Sequence, residues 1–339
     1  MKNTILMAVG TYTATSSRGV YLLEFDGDSA EARILHSVQL DNPSHVVFSH
    51  DGNHLYAIGE NGANGTVHSI ALSESGMQVD ATLPAGADPC HIALAGDLLV
   101  VASYSDGAVN SFSVDDRGIL ASQKQSLRFN ARSVHPRRQM SSHIHNIALS
   151  PDGRFILASD LGGDFVYSMV LDDDSVMQLD ESVKVKAGSG PRHMAWSRDG
   201  KYLYLLTELS DEVMVFARDG GRFTHIQTLG AARTPAGGGG DIHIHPDGHF
   251  LYSSARLQDD GIAVFGILDD GTLKKDFFVP TGKHPRNFAI TPDGRFLLCA
   301  CRDKNAIEVY EIDCQCGNLT YLDNKDIELP MPVCIAFDA

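Results

Sequence analysis

PRHMAWSRDGKYLYLLTE, residues 191 to 208, holds a short apolar strand, an Arg-Asp-Gly turn and a second apolar strand. Asp-Gly between two such runs is a hairpin signal, because Gly accepts the positive φ that a tight turn demands. The unit recurs as PSHVVFSHDGNHLYAIGE at 43 to 60 and PRNFAITPDGRFLLCACR at 285 to 302. Weaker copies are HNIALSPDGRFILASDL (145 to 161) and DIHIHPDGHFLYSSAR (241 to 256), which lack the opening Pro, and PCHIALAGDLLVVASY (89 to 104), whose turn is shortened. A seventh copy, Pro332 to Phe337, breaks off after one strand.

The copies open at Pro43, Pro89, Ile144, Pro191, Gly239, Pro285 and Pro332, so their spacings are 46, 55, 47, 48, 46 and 47 residues. A third strand follows each complete hairpin (Val67 to Leu72 is the first), and a weaker fourth strand follows that. Four short strands in about 45 residues is the period of a propeller blade. The last copy needs three more strands, and Thr4 to Val9, Gly19 to Phe25 and Arg33 to Gln39 supply them. A ring closed by both ends of the chain removes the open edge of a linear array. A capped strand solenoid is the alternative, but it would not end in a partial unit. The expectation is an all-β, seven-bladed β-propeller occupying residues 1 to 339 as a single domain.

Composition narrows the partners. The 339 residues include 27 Lys and Arg against 43 Asp and Glu, a net charge of −16. Such acidity argues against nucleic acid or anionic membrane as a partner, since both call for a basic footprint. The longest early apolar run, Ile5 to Val9, is too short for a membrane span or a signal-peptide core. A cytoplasmic protein is expected, acting as a monomer or weak homo-oligomer. The six cysteines are read as reduced thiols, because C-x-C is not the usual spacing of zinc ligands.

Strand direction sorts the candidate site. The first strand of a blade runs from one rim to the Asp-Gly turn, and the second returns. The residue after each opening position therefore shares a rim with the residue eight beyond the turn Gly. The first set is Ser44, Cys90, His145, Arg192, Gly240, Arg286 and Val333; the second is Glu60, Tyr104, Leu161, Glu208, Arg256 and Arg302, with Gly10 to Tyr12 in the seventh place. Charged residues in phase with an apolar repeat point to a built site around the channel mouth. An Arg192–Glu208 ion pair within one blade is an equally good structural reading, and Arg286 could pair with Glu60. His45, His91 and His193 come one position later and, by strand alternation, point to the other face. Bracing of the blade interface is their favoured role, with His91 and His193 kept, beside Arg286, as candidate substrate contacts. The H-x-H pairs His143/His145 and His243/His245 lack an obvious third ligand, so no metal is expected.

The 55-residue spacing places extra chain near Leu127 to Ser142, with Arg128, Arg132, His135, Arg137 and Arg138. A solvated loop is the common fate of such a run. A lid over an anionic substrate is the alternative, since long insertions are often functional.

At these residues the chain resembles the seven-bladed propeller lactonase family, which includes bacterial propeller-type 6-phosphogluconolactonases and fungal carboxymuconate lactonizing enzymes. GTYT (10 to 13), SHIHNIALSPDGRFILASDLGGD (142 to 164), GPRHMAWSRDGKYLYLLTELSDEVMVF (190 to 216), GGDIHIHPDGHFLYSSAR (239 to 256) and GKHPRNFAITPDGRFLLCA (282 to 300) carry the resemblance. It implies that His145, Arg192, Glu208 and Arg256 take part in lactone chemistry on a small anionic lactone, with no cofactor. It departs at Ala255 and Arg302, where relatives commonly carry Asn and Gln. The activity implied is hydrolysis of 6-phosphoglucono-1,5-lactone; a muconate-type cycloisomerase and a non-catalytic binding propeller are the alternatives.

Lactone hydrolysis needs an activated water, oxyanion stabilisation and protonation of the leaving alkoxide. His145 is expected to supply a base near neutral pH, with Glu208 as its partner or as the base itself. Arg192 and Arg256 would hold the oxyanion or an anionic group of the substrate. No G-x-S-x-G elbow appears, so no acyl-enzyme is expected.

Overall fold

The computed structural model describes residues 4–172 and 175–338. Seven antiparallel sheets follow one another around a ring, each in the order first to fourth strand from the channel outward. In the last blade Pro332–Phe337 pairs with Thr4–Thr11, in the register Met7↔Phe337 and Val9↔Ile335, and Gly19–Asp26 and Glu31–Gln39 complete the sheet. The expected closure by both ends of the chain is therefore present. In the sixth blade the outer strand is split into Leu319–Tyr321 and Ile327–Glu328. Among the described residues there is no α-helix, only two single-turn 3-10 segments, and so no helix long and apolar enough to cross a membrane.

Burial explains the layering. Second strands such as His54–Gly59 and Phe296–Cys301 are buried along their whole length, because each is sandwiched between its own blade's neighbours and the adjacent blade. Outer strands such as Leu120–Arg128 alternate with solvent. The hydrophobic core accordingly lies between blades. Leu23 and Phe25 of the last blade pack with Phe296, Leu298 and Val309 of the sixth, and the rings of Phe25 and Phe296 meet edge to face at 5.7 Å.

The turns are equally regular. Asp51, Asp152, Asp199 and Asp293 each accept a hydrogen bond from the Ser or Thr two residues before, at 2.6 to 2.7 Å. The glycines that follow have φ of 67 to 75°, the left-handed region that the turn requires. In three blades a tyrosine ties the second strand to the next blade: Tyr56, Tyr204 and Tyr252 donate to the carbonyls of Gly118, Gly271 and Gly317. These turns define the rim away from the arginines. All six cysteines are free; Cys90, Cys299, Cys301 and Cys334 are buried, whereas Cys314 is exposed.

Candidate active site

A β-bulge opens the first strand in several blades. Pairing with the second strand shifts register between Pro89 and His91, Ile144 and Asn146, Pro191 and His193, and Pro285 and Asn287. Cys90, His145, Arg192 and Arg286 are thus the inserted residues. A bulge breaks strict alternation and re-aims a side chain. The expectation that His91 and His193 face away from the channel is therefore corrected. Together with His45, Asp241, Asn287 and Cys334 they line a cavity of about 660 Å³ that runs along the first strands toward the turn rim. Their rings meet across blades, His45–His91 at 4.0 Å, His91–His193 at 5.5 Å and His145–His193 at 5.3 Å between centroids.

At the opposite end, Glu208 is the hub. Its Oε2 accepts from Arg192 Nε at 2.8 Å and from Arg256 Nη2 at 3.4 Å, and Arg138 Nη2 donates to its Oε1. Arg192 also donates to the carbonyl of Gly240, and Arg256 to those of Gly238 (2.9 Å) and Gly239 (2.6 Å). The glycine run at 237 to 240 makes this possible. A Cβ at Gly238 or Gly239 would collide with the carbonyl oxygens of Arg256 or Thr207, so only Gly brings these carbonyls so close. Arg286 lies beside the cluster, 3.9 Å from Glu60 and with its guanidinium over the Tyr12 ring. Both structural pairings expected from the sequence, Arg192 with Glu208 and Arg286 with Glu60, are present. In this cluster four guanidiniums face two carboxylates, a local excess of positive charge in an acidic chain.

Charge fixes what each group can do. Burial alone would raise the Glu208 carboxyl, but Arg256, Arg192 and Arg138 outweigh it and hold it at about 2. A carboxylate so quenched is a weak base. Burial, with the charges of Arg192, His193 and Arg286, holds the His145 imidazole well below 6.5. The expected ionisation near neutrality is corrected accordingly, because burial disfavours the imidazolium. Its buried Nδ1 has no hydrogen-bond partner, and no hydrogen bond joins it to Glu208. Burial and the neighbouring Arg192 lower Arg256 to about 9 despite Glu208.

The histidine-lined half differs. Asp241, buried, accepts from His193 Nδ1 at 2.6 Å, His243 Nε2 at 2.9 Å and Asn287 Nδ2 at 2.5 Å. Burial would raise its carboxyl, but His243 and His193 hold it well below the usual range. His193 itself is lowered to about 4 by burial and Arg192, and His45 to about 3 by burial and His193. The H-x-H pairs are engaged elsewhere: His143 bonds the Tyr104 carbonyl, and His245 bonds that of Gly294. No group of three or more His, Cys, Asp or Glu among the described residues is arranged to hold a metal.

Sequence reasoning missed Asp241. It stands two residues after its blade's opening position, as His45, His91, Asn146, His193 and Asn287 do in theirs, so the repeat phase that picked out Arg192 also marks it. The reach of Arg138 from the insertion into Glu208 and to the hydroxyl of Tyr104 had no such signal beyond the charge run.

Comparison with known proteins agrees with this geometry. The seven-bladed β-propeller lactonase family matches residues 6–337. The 6-phosphogluconolactonases of Formosa agariphila and Bacillus subtilis are each 31% identical, over 94% and 97% of this chain and 96% and 97% of theirs. The structure of the periplasmic gluconolactonase PpgL from Pseudomonas aeruginosa superposes with a TM-score of 0.93 at 32% identity, covering 99% of both chains. A Bacteroides uniformis structure reaches 0.96 at 40% identity over 99% of this chain and all of its own. Blade count, closure and a match along nearly the whole sequence converge, and the chain belongs to the seven-bladed β-propeller lactonases.

Proposed function

We propose that the protein hydrolyses 6-phosphoglucono-1,5-lactone to 6-phosphogluconate at the arginine rim, by direct attack of water. The His145 imidazole, whose Nδ1 has no hydrogen-bond partner, lies beside guanidiniums already fixed by Glu208, and that arrangement carries the reading. In this scheme His145 takes a proton from water as the oxygen adds to the lactone carbonyl. Negative charge develops on the carbonyl oxygen, and fixed donors aimed there are worth most because they need no reorganisation. Arg192 and Arg256 each keep one terminal nitrogen, Nη2 and Nη1, outside the contacts with Glu208 and the glycine carbonyls. Collapse of the intermediate breaks the ring C–O bond, and the imidazolium returns its proton to the ring oxygen. Glu208 acts as a positioning residue. Six free cysteines fit a reducing compartment, which supports a cytoplasmic location.

The test is lactone consumption, corrected for spontaneous hydrolysis, by the unmutated protein and His145→Gln. Loss of a positioned base costs about 10²- to 10⁴-fold in turnover, and the melting temperature should hold. Full activity in a folded His145→Gln removes that residue from the mechanism. No hydrolysis of any lactone by the unmutated protein ends the reading.

A further inference from the structure

The relatives divide over one chemical group: some are named for a phosphorylated lactone, and one for gluconolactone. Nothing at Glu208 separates the two substrates. The insertion after Leu120–Arg128 lies beside it.

Its tip, His135 to Gln139, is tied down by hydrogen bonds. Gln139 is fully buried; it accepts from the His135 N–H at 3.0 Å, donates its amide to the Leu161 carbonyl at 2.9 Å and donates its own N–H to the His135 carbonyl at 3.1 Å. The backbone N–H groups of Arg137 and Arg138 donate to His135 Nδ1 at 3.3 and 3.1 Å. That places the imidazole proton on Nε2, where it is a free donor. Arg138 reaches inward to Glu208 and Tyr104. The Arg137 guanidinium forms no ion pair with any described residue.

These three side chains form one wall of a cavity of about 570 Å³, whose other wall is Leu209 and residues 235 to 237, with Leu257. Leu209 directly follows Glu208, so the cavity adjoins the rim cluster. No Asp or Glu lines it. The carboxylate behind the far wall, Asp211, is buried and accepts from the N–H groups of Ala236, Gly237 and Gly238 at 2.7 to 2.9 Å, which keeps it turned from the cavity. In a chain of net charge −16, a cavity lined by two guanidiniums and an N–H donor, with no acid, suits an anion.

We infer that the cavity between the 135–139 tip and the 235–237 loop is a phosphomonoester subsite, in which Arg137, Arg138 and His135 Nε2 hold the phosphate of the sugar lactone while its carbonyl faces His145. Arg137 is the specificity-determining residue: it serves the phosphate alone, whereas Arg138 is shared with Glu208. This inference rests on the lactonase reading for its substrate but not for its anion.

The experiment compares unmutated protein, Arg137→Gln and Arg137→Lys on 6-phosphogluconolactone and gluconolactone. One charge-assisted phosphate contact is worth about ten- to a hundredfold. Arg137→Gln should raise KM for the phosphorylated lactone by that factor, leave its kcat within about twofold, and leave gluconolactone kinetics unchanged; Arg137→Lys should recover part of the loss. Equal effects on both lactones, no effect on either, or an unmutated protein that prefers gluconolactone would each overturn the subsite. If the unmutated protein hydrolyses neither lactone, the activity reading has failed by itself. The subsite is then judged by calorimetry with inorganic phosphate: saturable binding lost in Arg137→Gln supports it, and absence of binding to the unmutated protein overturns it.

Discussion

The two ends of the channel are built from adjacent residues of the same strands, yet they handle charge in opposite ways. At the rim, Arg192 and its neighbours are kept ionised by mutual pairing through Glu208. One residue further along, His193 and its neighbours His91 and His45 are kept neutral by burial. The bulge between Pro191 and His193 is what allows both to face the channel. Fixed charge suits the stabilisation of an oxyanion, whereas tilted and edge-to-face rings held neutral suit the packing of seven strands about an axis.

If that contrast holds, the largest effect comes from removing the hub. Glu208→Ala leaves Arg192, which is 2% exposed, without its carboxylate. Breaking a buried ion pair from one side costs about 3–5 kcal/mol. The variant should melt well below the unmutated protein and lose activity. A melting temperature within a degree or two of the original would show that the glycine carbonyls alone hold the guanidiniums.

Arg256→Ala comes next. It removes one donor while Arg192 and Arg138 still satisfy Glu208. Loss of one oxyanion donor costs roughly 3 kcal/mol, or about a hundredfold in turnover. Steady-state rates with a parallel melting curve check it: a stability loss with normal activity per folded molecule would move Arg256 from chemistry to architecture. Burial holds His145 well below 6.5 and the arginines hold Glu208 at about 2, so the acid limb of kcat/KM should lie well below pH 6.5. An acid limb centred near 6.5 would contradict the burial of His145.

The histidine half is tested by stability against pH. His45 and His193 lie near 3 and 4 in the folded protein, against an unfolded value of 6.5. Below pH 6.5 the unfolded chain takes up protons that the folded chain refuses. Stability is therefore full above that pH and falls as pH drops, by up to about 1.4 kcal/mol per unit for each such histidine. Glu208, depressed to about 2, adds its own loss only below its unfolded value of 4.5. His243, raised by Asp241 in spite of burial, works in the opposite sense near neutrality. Denaturant melts between pH 6.5 and 4.5 thus report the imidazoles without the rim carboxylate. A flat profile there would mean that water reaches these rings.

How much of this the sequence disclosed follows from how each feature is encoded. Strands and turns are local and recur from blade to blade, so apolar runs, Asp-Gly turns and the partial last copy sufficed for the fold. Arg192, Glu208 and Arg256 were legible because they keep phase with the blade. The facing of His91 and His193 was misread because alternation was carried straight through a bulge, which leaves no mark in a single sequence. The protonation of His145 was misread because burial and the field of Arg192 are set by three-dimensional neighbours. Asp241 was overlooked although its phase marked it.

The smallest effect separates the hub from the rest of the rim. Glu60 receives the Tyr12 hydroxyl at 2.9 Å and lies 3.9 Å from Arg286, with both side chains of the ion pair about a fifth exposed. Water reaches this pair, and the distance is at the edge of an ion pair, so its contribution falls in the range of about 0–1 kcal/mol. Glu60→Gln keeps an acceptor for Tyr12 and removes only the charge. The melting temperature should move little, and the rim should become more positive by one unit. That added field should tighten binding of the anionic lactone modestly, by less than about threefold in KM, and the gain should vanish in high salt, where exposed charges are screened. A destabilisation as large as that of Glu208→Ala would show that charge pairing around the whole rim, rather than the single buried carboxylate, holds the arginines in place.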